Sequence, residues 1–435
     1  MLGNVGEQLV PFSLLTRFER RLFPGPATAI ACAIIALTAS ILLPRLFEVN
    51  ATMRDGTGQL YGHDFALFWA AGELGHREGM SVLWDIDRFK TALKAHFPTA
   101  TFSPDTRFHY PPTILFPLAP LSALPLTLAF PIMIGASMIL LAIAMLRIIP
   151  DLRTILLMLG APLVINALIY GQWSFLFAAL MVVALIPVAR GETAHPLATA
   201  LFIMKPTLGL ALPLAFLFVP GGWRKITIVL AMIVALIVSN VLIFGVETWQ
   251  SYLGALPESK KTLLEGLDTL AAHSATLGTV LQFNNVSPAL ARSCQWLFTI
   301  VILGVLAVIM RSGTRGDLKA ASLAAGTVLG APYMMAYDFC LLLPAAAFFI
   351  RDGMKHGFRT GDRTIIAMVA IAAMFINKVQ EASALPLGFA LALGFFVLIA
   401  TRAGQSAAEN KSGTQCDQEK ADGMVPAQRL LQNEY

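Results

Sequence analysis

ITIVLAMIVALIVSNVLIFGV, residues 226–246, is a run of consecutive positions without a charged side chain. Because about 20 apolar residues cross the hydrocarbon core of a bilayer as a helix, this segment predicts a membrane span. The whole chain of 435 residues is 57% hydrophobic and only 13% charged, whereas a soluble domain carries about 25% charged residues. This composition excludes the soluble, disordered, collagen-like and coiled-coil classes. We therefore predict an all-α polytopic membrane protein with about ten to twelve transmembrane helices.

The lysine and arginine residues lie in short clusters between the apolar runs. The formal net charge is +5, but this dispersed arrangement is typical of membrane orientation signals and does not indicate nucleic-acid binding. When every cluster is placed in the cytoplasm, both termini are cytoplasmic. The long polar loops then lie on the outer face, where we expect any active site. The predicted spans are then residues 27–46, 126–146, 154–170, 172–189, 226–246, 294–310, 320–334, 338–350, 364–377 and 385–402.

This assignment divides the chain into three parts. Residues 1–26 are a cytoplasmic N-terminal segment, and residues 27–402 form the transmembrane domain. Residues 403–435 form a polar cytoplasmic tail that we predict to be disordered, because it has few large apolar residues. Two long outer loops are predicted, at residues 47–111 and 247–293.

The segment Pro196–Val219 must enter and leave on the same side if Arg190 and Arg224 are both cytoplasmic. It is too short for two full spans, so it suits two half-helices broken at Lys205-Pro206, where the proline removes a backbone donor. A single span with a proline kink is the alternative. Lys205 itself is either a phosphate-binding cation at the break or a lysine whose ammonium reaches the interface.

The first outer loop contains a short stretch with apolar residues at helical spacing. This stretch predicts a helix lying at the membrane surface, and its apolar positions are Phe65, Phe68, Trp69 and Gly72. Asp64 stands at the start of this helix. It is either an N-cap or a general base held just outside the bilayer beside His63.

Five prolines follow within residues 111–125 and prevent a regular span there. We predict a short re-entrant or interfacial element with His109 and Tyr110 as its polar rim. Such a rim above an apolar wedge suits a groove for a lipid with a polar head, and a structural turn is the alternative. Arg107 is the nearest outer arginine able to balance a phosphate charge.

The remaining polar motifs give weaker signals. Asp85-Ile86-Asp87 has the spacing of a metal-nucleotide motif, but in a chain without a nucleotide-binding pattern it indicates a solvated helix start. Asp338 begins a predicted span at the outer edge. It is either a functional residue or the N-cap of that span. The seven histidines show no metal-ligand spacing. We therefore predict neither a metal nor a cofactor.

Taken together and in this order, the motifs resemble those of glycosyltransferase family 87, a group of multispanning enzymes in the GT-C superfamily. The resemblance covers about residues 27–402 and rests on His63-Asp64-Phe65, Leu83-Trp84-Asp85, Tyr110-Pro111-Pro112, Gly171-Gln172, Lys205-Pro206, Pro332-Tyr333 and Tyr337-Asp338. The chain departs from the family pattern at Trp84, where a tyrosine is usual. It also has Tyr337-Asp338 where some members continue to a second catalytic histidine.

The resemblance implies transfer of a sugar, mannose or another hexose, from a polyprenyl-phosphate donor. The acceptor is a glycolipid or glycan at the periplasmic face of a bacterial inner membrane, and the reaction inverts the anomeric carbon. Asp64 is implied as the general base, with His63 tuning or orienting its carboxylate. The other implied roles are donor phosphate binding by Lys205, Arg107, His109 and Tyr110, and acceptor binding or support by Gln172, Tyr337 and Asp338.

Two other functions fit a polytopic membrane protein. A transporter or lipid flippase places its binding residues near the bilayer midplane at the interface of internal repeats. In this sequence no convincing repeat is present and most acidic residues lie in loops and the tail. An O-antigen ligase or polymerase-like enzyme also uses lipid-linked sugars, but is usually built around a large outer loop with an essential arginine.

Overall fold

The structure is a computed structural model, and it describes residues 41, 43–103, 106–265, 276–383 and 385–431. Within these ranges the regular elements are helices, accompanied by one isolated bridge between Arg54 and Leu60. The predicted all-α membrane class is therefore confirmed. The N-terminal segment 1–26 and most of the predicted first span, 27–46, lie outside the described residues.

The helices are numbered here in chain order. Those of the first half are α1 Asp64–Glu78, α2 Ile86–His96, α3 Leu115–Ser122, α4 Leu126–Leu146, α5 Leu152–Leu159, α6 Ile165–Ile169, α7 Ser174–Leu185, α8 Pro196–Ala200 and α9 Leu214–Leu217. Those of the second half are α10 Gly222–Phe244, α11 Val246–Glu265, α12 Leu277–Phe283, α13 Pro288–Arg311, α14 Gly316–Gly330, α15 Leu342–His356, α16 Asp362–Ala372, α17 Ile376–Ser383 and α18 Leu387–Leu431. Short 3-10 turns join several of them.

Four of the described helices are long and apolar enough to cross a membrane. They are α4, α10, α13 and the Leu387–Ser412 part of α18. A fifth candidate is the bent pair Leu152–Leu159 and Pro162–Ile169, whose two halves meet at 52°. The other predicted spans correspond to shorter helices such as α7, α14 and α15. The number of ten to twelve spans therefore stays a prediction.

Basic clusters from separate loops meet at one end of the bundle, which we call the basic end. Arg315 pairs with Asp352 at 2.7 Å, Arg351 pairs with Asp317, and Arg402 lies 3.9 Å from Asp352. Each of these carboxylates is buried, and the arginines balance their charges within the protein. These three clusters therefore lie at one end of the bundle, and the placement of all basic clusters on the cytoplasmic side stays a prediction.

Helix α14 runs from the basic end to a second end of the bundle, and α15 runs back from there. The turn between these two helices carries Asp338. Asp338 accepts a hydrogen bond from the Ser174 hydroxyl at 3.3 Å. Ser174 begins α7, and α7 runs back to the basic end, where the turn Val188–Arg190 contacts α14. We call this second end the site end.

The segment between α7 and α10 forms a broken hairpin. It starts at the basic end, where the amide of His195 donates to Ala184 at 3.0 Å, and it returns there, where the Arg311 guanidinium lies 5.8 Å from the Phe218 ring. Halfway along, Lys205 reaches Asp338 at the site end. Both halves consist of short helices and 3-10 turns, because Pro206 and Pro213 prevent continuous hydrogen bonding. The single kinked span is thus wrong.

The proline-rich segment before α4 folds as predicted into a short element. A 3-10 turn at Pro112–Ile114 leads into α3, and Pro125 separates α3 from the full-length helix α4. The side-chain amide of Asn240 in α10 donates to the carbonyl of Pro112 at 3.0 Å. This contact ties the turn to a membrane-length helix.

The tail differs from its predicted disorder. Helix α18 continues from the membrane part through the tail to Leu431. The first turns of this extension bind the basic end: Glu409 pairs with Arg315 at 3.0 Å and with Arg359 at 2.9 Å, and Ser406 accepts from the amide of Arg315. Alanine, glutamate, glutamine and lysine, which favour helices, are frequent in this segment, so a polar composition did not prevent helix formation.

Candidate active site

Two glycine turns meet at the site end and place the first functional side chains. Gly62 and Gly171 both have positive φ angles, 78° and 58°, which glycine adopts without steric cost. A side chain on Gly171 would overlap the carbonyl oxygen of Gly62, so the two backbones can approach this closely only because Gly171 carries none. The amide of Asp64 also donates to the carbonyl of Tyr170 at 3.2 Å. The start of α1 is therefore joined to the turn before α7.

The carboxylate of Asp64 does not cap the helix it begins. The N-cap position of α1 is His63, and no side chain bonds to the free amides there. Instead, Oδ2 of Asp64 accepts a hydrogen bond from the side-chain amide of Gln172 at 2.6 Å. The capping interpretation of Asp64 is wrong, because the turn at His63, with φ 46°, directs the carboxylate away from the amides of its own helix.

The environment of Asp64 favours its neutral form. Burial raises the pKa of Asp64 to about 6, although the hydrogen bond from Gln172 and the charge of Lys205 both act to lower it. A carboxyl group that titrates near neutral pH is suited to accept a proton from an alcohol and to release it later. This electrostatic property matches the role that the sequence predicts for Asp64.

Lys205 forms an ion pair with Asp338 at the tip of the hairpin. The ammonium nitrogen lies 2.6 Å from Oδ1 of Asp338, and the rings of Tyr337 and Tyr110 lie 5.3 Å and 5.9 Å away. Lys205 is 9% exposed and Asp338 is fully buried. Lys205 is therefore buried in the protein, and Asp338 balances its charge there. Asp338 also accepts a hydrogen bond from the amide of Met335 at 3.4 Å. Met335 is the N-cap of this turn and Asp338 lies three residues after it, so Asp338 is not the N-cap that its sequence position suggested.

Asp64 and Lys205 lie in the wall of one cavity of about 490 Å³. Five of the seven tyrosines of the chain line this cavity. Aromatic faces with polar hydroxyls suit a ligand that has both apolar and hydrogen-bonding surfaces. Of the residues predicted for the site, the structure brings the following to this wall: Asp64, Arg107, His109, Tyr110, Gln172, Lys205 and Tyr337.

Arg107, like the exposed Lys260, belongs to this wall and has no described carboxylate at ion-pair distance. Its Nε atom and the Nδ1 atom of the neighbouring His109 are buried without a hydrogen-bond partner in the described part of the chain. Burial and the charge of Arg107 lower the pKa of His109 to about 4, so His109 is neutral at physiological pH. Trp84 holds the segment in place by donating to the carbonyl of Tyr110 at 3.2 Å. Arg107 therefore brings to the cavity wall a guanidinium group, whose geometry suits an anionic ligand.

His63 does not take the position predicted for it beside the Asp64 carboxylate. Its Nε2 atom lies 3.8 Å from Asp55, and its ring lies against Tyr170 at 5.9 Å. Burial lowers the pKa of His63, and the charge of Asp55 opposes this effect. Gln172, and not His63, is thus the side chain that contacts the carboxylate, because the positive φ of His63 turns adjacent side chains in different directions.

The cavity also contains residues that the sequence did not single out. Tyr170 accepts a hydrogen bond from the side-chain amide of Asn377 at 3.0 Å. Tyr252 and Lys260 line the cavity from α11, and Tyr333 lines it from the turn after α14. Tyr170 directly precedes the motif Gly171-Gln172, and Tyr333 is part of the motif Pro332-Tyr333. These motifs could therefore have indicated both tyrosines as site residues. Tyr252 and Lys260 lie in a helix without such a motif.

The Asp85-Ile86-Asp87 motif lies at the start of α2. Asp85 caps α2 by accepting from the amides of Asp87 and Arg88 at 3.1 Å, so the Asp85-Ile86-Asp87 motif is a helix start, as predicted. Among the described residues, no group of three histidine, cysteine or acidic side chains is arranged to hold a metal ion.

The architecture is that of an all-α polytopic membrane protein with a tyrosine-lined cavity, and comparison with known proteins identifies its class. The family model of glycosyltransferase family 87 matches residues 108–344, more than half of the chain, so the protein is a membrane glycosyltransferase. The chain belongs to glycosyltransferase family 87, which confirms the resemblance drawn from its motifs. Asp64 precedes the matched residues but contacts them through Gln172 and Tyr170. No curated protein and no solved structure matches the chain.

Proposed function

We propose that the protein transfers mannose or another hexose from a polyprenyl-phosphate donor to a hydroxyl of a glycolipid or glycan acceptor, with inversion. The observation that carries this proposal is the state of the Asp64 carboxylate. It lines the cavity, its Oδ2 atom is held by Gln172, and its Oδ1 atom makes no hydrogen bond to a described residue. A carboxylate with one free oxygen in a tyrosine-lined cavity is suited to receive the acceptor's proton.

The proposed reaction moves one proton and exchanges one bond. The acceptor oxygen attacks the anomeric carbon while Oδ1 of Asp64 takes the hydroxyl proton. The bond between that carbon and the phosphate oxygen breaks, and polyprenyl phosphate leaves with the bonding electrons. Negative charge thereby passes from Asp64 to the phosphate, so the transition state benefits from a cation near the phosphate and from a neutralised base.

Arg107 is the cation we assign to the donor phosphate. Lys205 is already paired with Asp338 at 2.6 Å. Its positive charge is therefore balanced by this carboxylate, whereas its sequence position suggested a charge available to a phosphate. Arg107 has no such partner in the described residues, and its guanidinium geometry suits phosphate oxygens. His109 and Tyr110 lie beside it in the cavity wall. We propose that His109 and Tyr110 contribute hydrogen bonds to the phosphate and not a positive charge, since His109 is neutral.

A lipid-linked donor suits the chain better than a nucleotide sugar. The described elements are helices, without the parallel sheet of a nucleotide-binding domain. The cavity lies beside the proline-broken segment that leads into α4, a membrane-length helix. We assign the site end to the periplasmic face of a bacterial inner membrane, because the opposite end collects the arginine and lysine clusters.

The deciding experiment uses the purified protein in lipid nanodiscs with synthetic polyprenyl-phosphate mannose and an envelope extract that retains its glycolipids and glycans as the source of acceptors. We expect free polyprenyl phosphate to accumulate together with a mannosylated product of inverted anomeric configuration. A transporter releases no polyprenyl phosphate, and a ligase-type enzyme requires a diphosphate-linked donor instead. Either of those two results contradicts the proposal. The same assay with other hexose donors identifies the sugar.

A further inference from the structure

Gln172 is a buried side chain whose contacts hold one neighbour in place. It is 4% exposed, and its amide nitrogen donates to Oδ2 of Asp64 at 2.6 Å. Its amide oxygen faces the Tyr110 hydroxyl, which donates to it at 3.4 Å. Because a carboxylate only accepts hydrogen bonds and a phenol readily donates one, these partners admit a single orientation of the amide.

We propose that Gln172 is the positioning residue of the transfer reaction, holding the Asp64 carboxylate so that only its Oδ1 atom faces the acceptor. This inference rests on the proposed function of Asp64. The hydrogen bond occupies one carboxylate oxygen and restricts rotation of the group. The remaining oxygen is then presented in a fixed direction, and orientation of this kind contributes a large part of a catalytic rate.

The backbone around Gln172 is as constrained as its side chain. Gly171 meets the carbonyl of Gly62 with no space for a side chain, and the amide of Asp64 is bonded to the carbonyl of Tyr170. The turn that carries Gln172 and the turn that carries Asp64 are therefore fixed to each other. A site prepared in advance by its surroundings loses little free energy to reorganisation during the reaction.

A neutral donor is chemically appropriate at this position. An arginine or lysine beside Asp64 would hold the carboxylate in its charged form and weaken it as a base, whereas an amide orients the group with a smaller effect on its proton affinity. The charge of Lys205 is balanced by Asp338. The direct hydrogen-bond partner of the Asp64 carboxylate is the neutral amide of Gln172. The charged and titratable groups close enough to Asp64 to interact with its charge are Lys205 from the hairpin, Tyr110 from the first loop, and Tyr333 and Tyr337 from the late turn. Asp338 is paired with Lys205.

The test replaces Gln172 with methionine, which has a similar size and no amide. In wild-type protein we expect the transfer rate to fall as the pH drops below about 6, because the base must be deprotonated. In Gln172→Met we expect this acidic limb to move up by about one pH unit, since a hydrogen bond to the charged form is lost. We also expect kcat at the optimum to fall by about 10- to 100-fold, with donor KM nearly unchanged.

Gln295 provides a matched control. It is 3% exposed and equally well bonded, to the amide of Gly278 and the carbonyl of Ala331, but it lies on α13 away from the cavity. Gln295→Met is expected to lower stability without moving the acidic limb. A Gln172→Met protein whose acidic limb and kcat both match those of the Gln295→Met protein overturns the proposal.

A second measurement does not depend on sugar transfer. Infrared titration of the protein in nanodiscs detects the protonated carboxyl group of Asp64, identified as the band that disappears in Asp64→Asn. We expect the midpoint of this band to rise in Gln172→Met and to rise further in Gln172→Glu, where two carboxyl groups at hydrogen-bond distance share a proton. An unchanged midpoint in both variants refutes the role of Gln172 even if the donor proves to be different. Retained transfer in Asp64→Asn, by contrast, refutes the proposed function itself.

Discussion

At the scale of single residues, the site depends on a helix start that is left uncapped. His63 adopts φ 46° at the N-cap of α1, a conformation that costs free energy for a residue other than glycine. Asp64 follows it and directs its carboxylate to Gln172 instead of its own helix. The uncapped helix start thus leaves this carboxylate in the cavity wall against Gln172, without the stabilisation that a cap would give to α1.

The Asp64→Asn variant tests this placement directly. Asparagine keeps the size of the side chain but does not accept a proton, so we expect turnover to fall by about 10²- to 10⁴-fold. Donor binding and the unfolding temperature should stay close to those of the wild type, because Asp64 makes no capping bond that stabilises α1. Transfer from synthetic polyprenyl-phosphate mannose and thermal unfolding are measured on the same samples. An asparagine variant that keeps most of its activity ends the assignment of Asp64 as base.

Arg107 is predicted to bind the donor phosphate. Loss of a charge-assisted hydrogen bond costs about 1.5–3 kcal/mol, so Arg107→Gln should weaken donor binding at least about tenfold. Binding of a non-hydrolysable polyprenyl phosphonate analogue is measured by titration in nanodiscs. Arg77→Gln is the control, because Arg77 is an exposed arginine on α1 that pairs with Glu73 at 2.9 Å. Equal affinities of the Arg107 and Arg77 variants for the analogue contradict the assignment.

At the scale of elements, the hairpin between α7 and α10 depends on a buried ion pair at its tip. Lys205 and Asp338 connect this hairpin to the turn between α14 and α15. Breaking a buried pair on one side leaves an uncompensated charge, which costs roughly 3–5 kcal/mol. The position of Lys205 in the sequence suggested a phosphate ligand, but its partner in the structure indicates a structural connection.

We therefore expect Lys205→Met to destabilise the protein by about 3–5 kcal/mol, and the double variant Lys205→Met/Asp338→Asn to regain most of that loss. The reason is that the asparagine side chain of the double variant carries no charge and keeps a hydrogen-bond acceptor for Ser174. Unfolding in detergent with increasing denaturant measures both variants. If the double variant is no more stable than the single one while donor affinity falls in both, Lys205 is a phosphate ligand after all.

At the scale of the whole molecule, the bundle has two chemically different ends. The basic end collects cations from separate loops and binds the start of the extended part of α18, whereas the site end contains the cavity. Positive charge is retained on the cytoplasmic side during membrane insertion. The polarity of the bundle therefore predicts its orientation, with both termini in the cytoplasm.

Cysteine labelling in intact cells tests this orientation. In a background without the native cysteines, we expect Asn284→Cys to react with an impermeant maleimide and Met354→Cys to react only after lysis. Both positions are exposed, and they lie towards the site end and the basic end, respectively. Labelling of Met354→Cys but not of Asn284→Cys would invert the topology and place the active site in the cytoplasm.

The sequence by itself determined the features that depend on local composition and spacing. Long uncharged runs predicted the membrane class and α4, α10 and α13, because burial of apolar length is a property of the segment alone. Proline positions predicted the short element before α4 and the break at Lys205, since proline removes a backbone donor wherever it stands. The ordered motifs indicated the family, and most of the predicted site residues line one cavity.

Only the tertiary structure decided which groups meet, because contacts between distant segments leave no local pattern. Asp64 and Gln172 are 108 positions apart and Lys205 and Asp338 are 133 apart. Neither the hydrogen-bond partner of the Asp64 carboxylate nor the ion-pair partner of the lysine could therefore be predicted from spacing. The same holds for His63, which turns to Asp55, and for the tail, which becomes a helix where it binds the basic end. Membrane folding brings these residues together, and their roles follow from the charge and hydrogen bonds they find there.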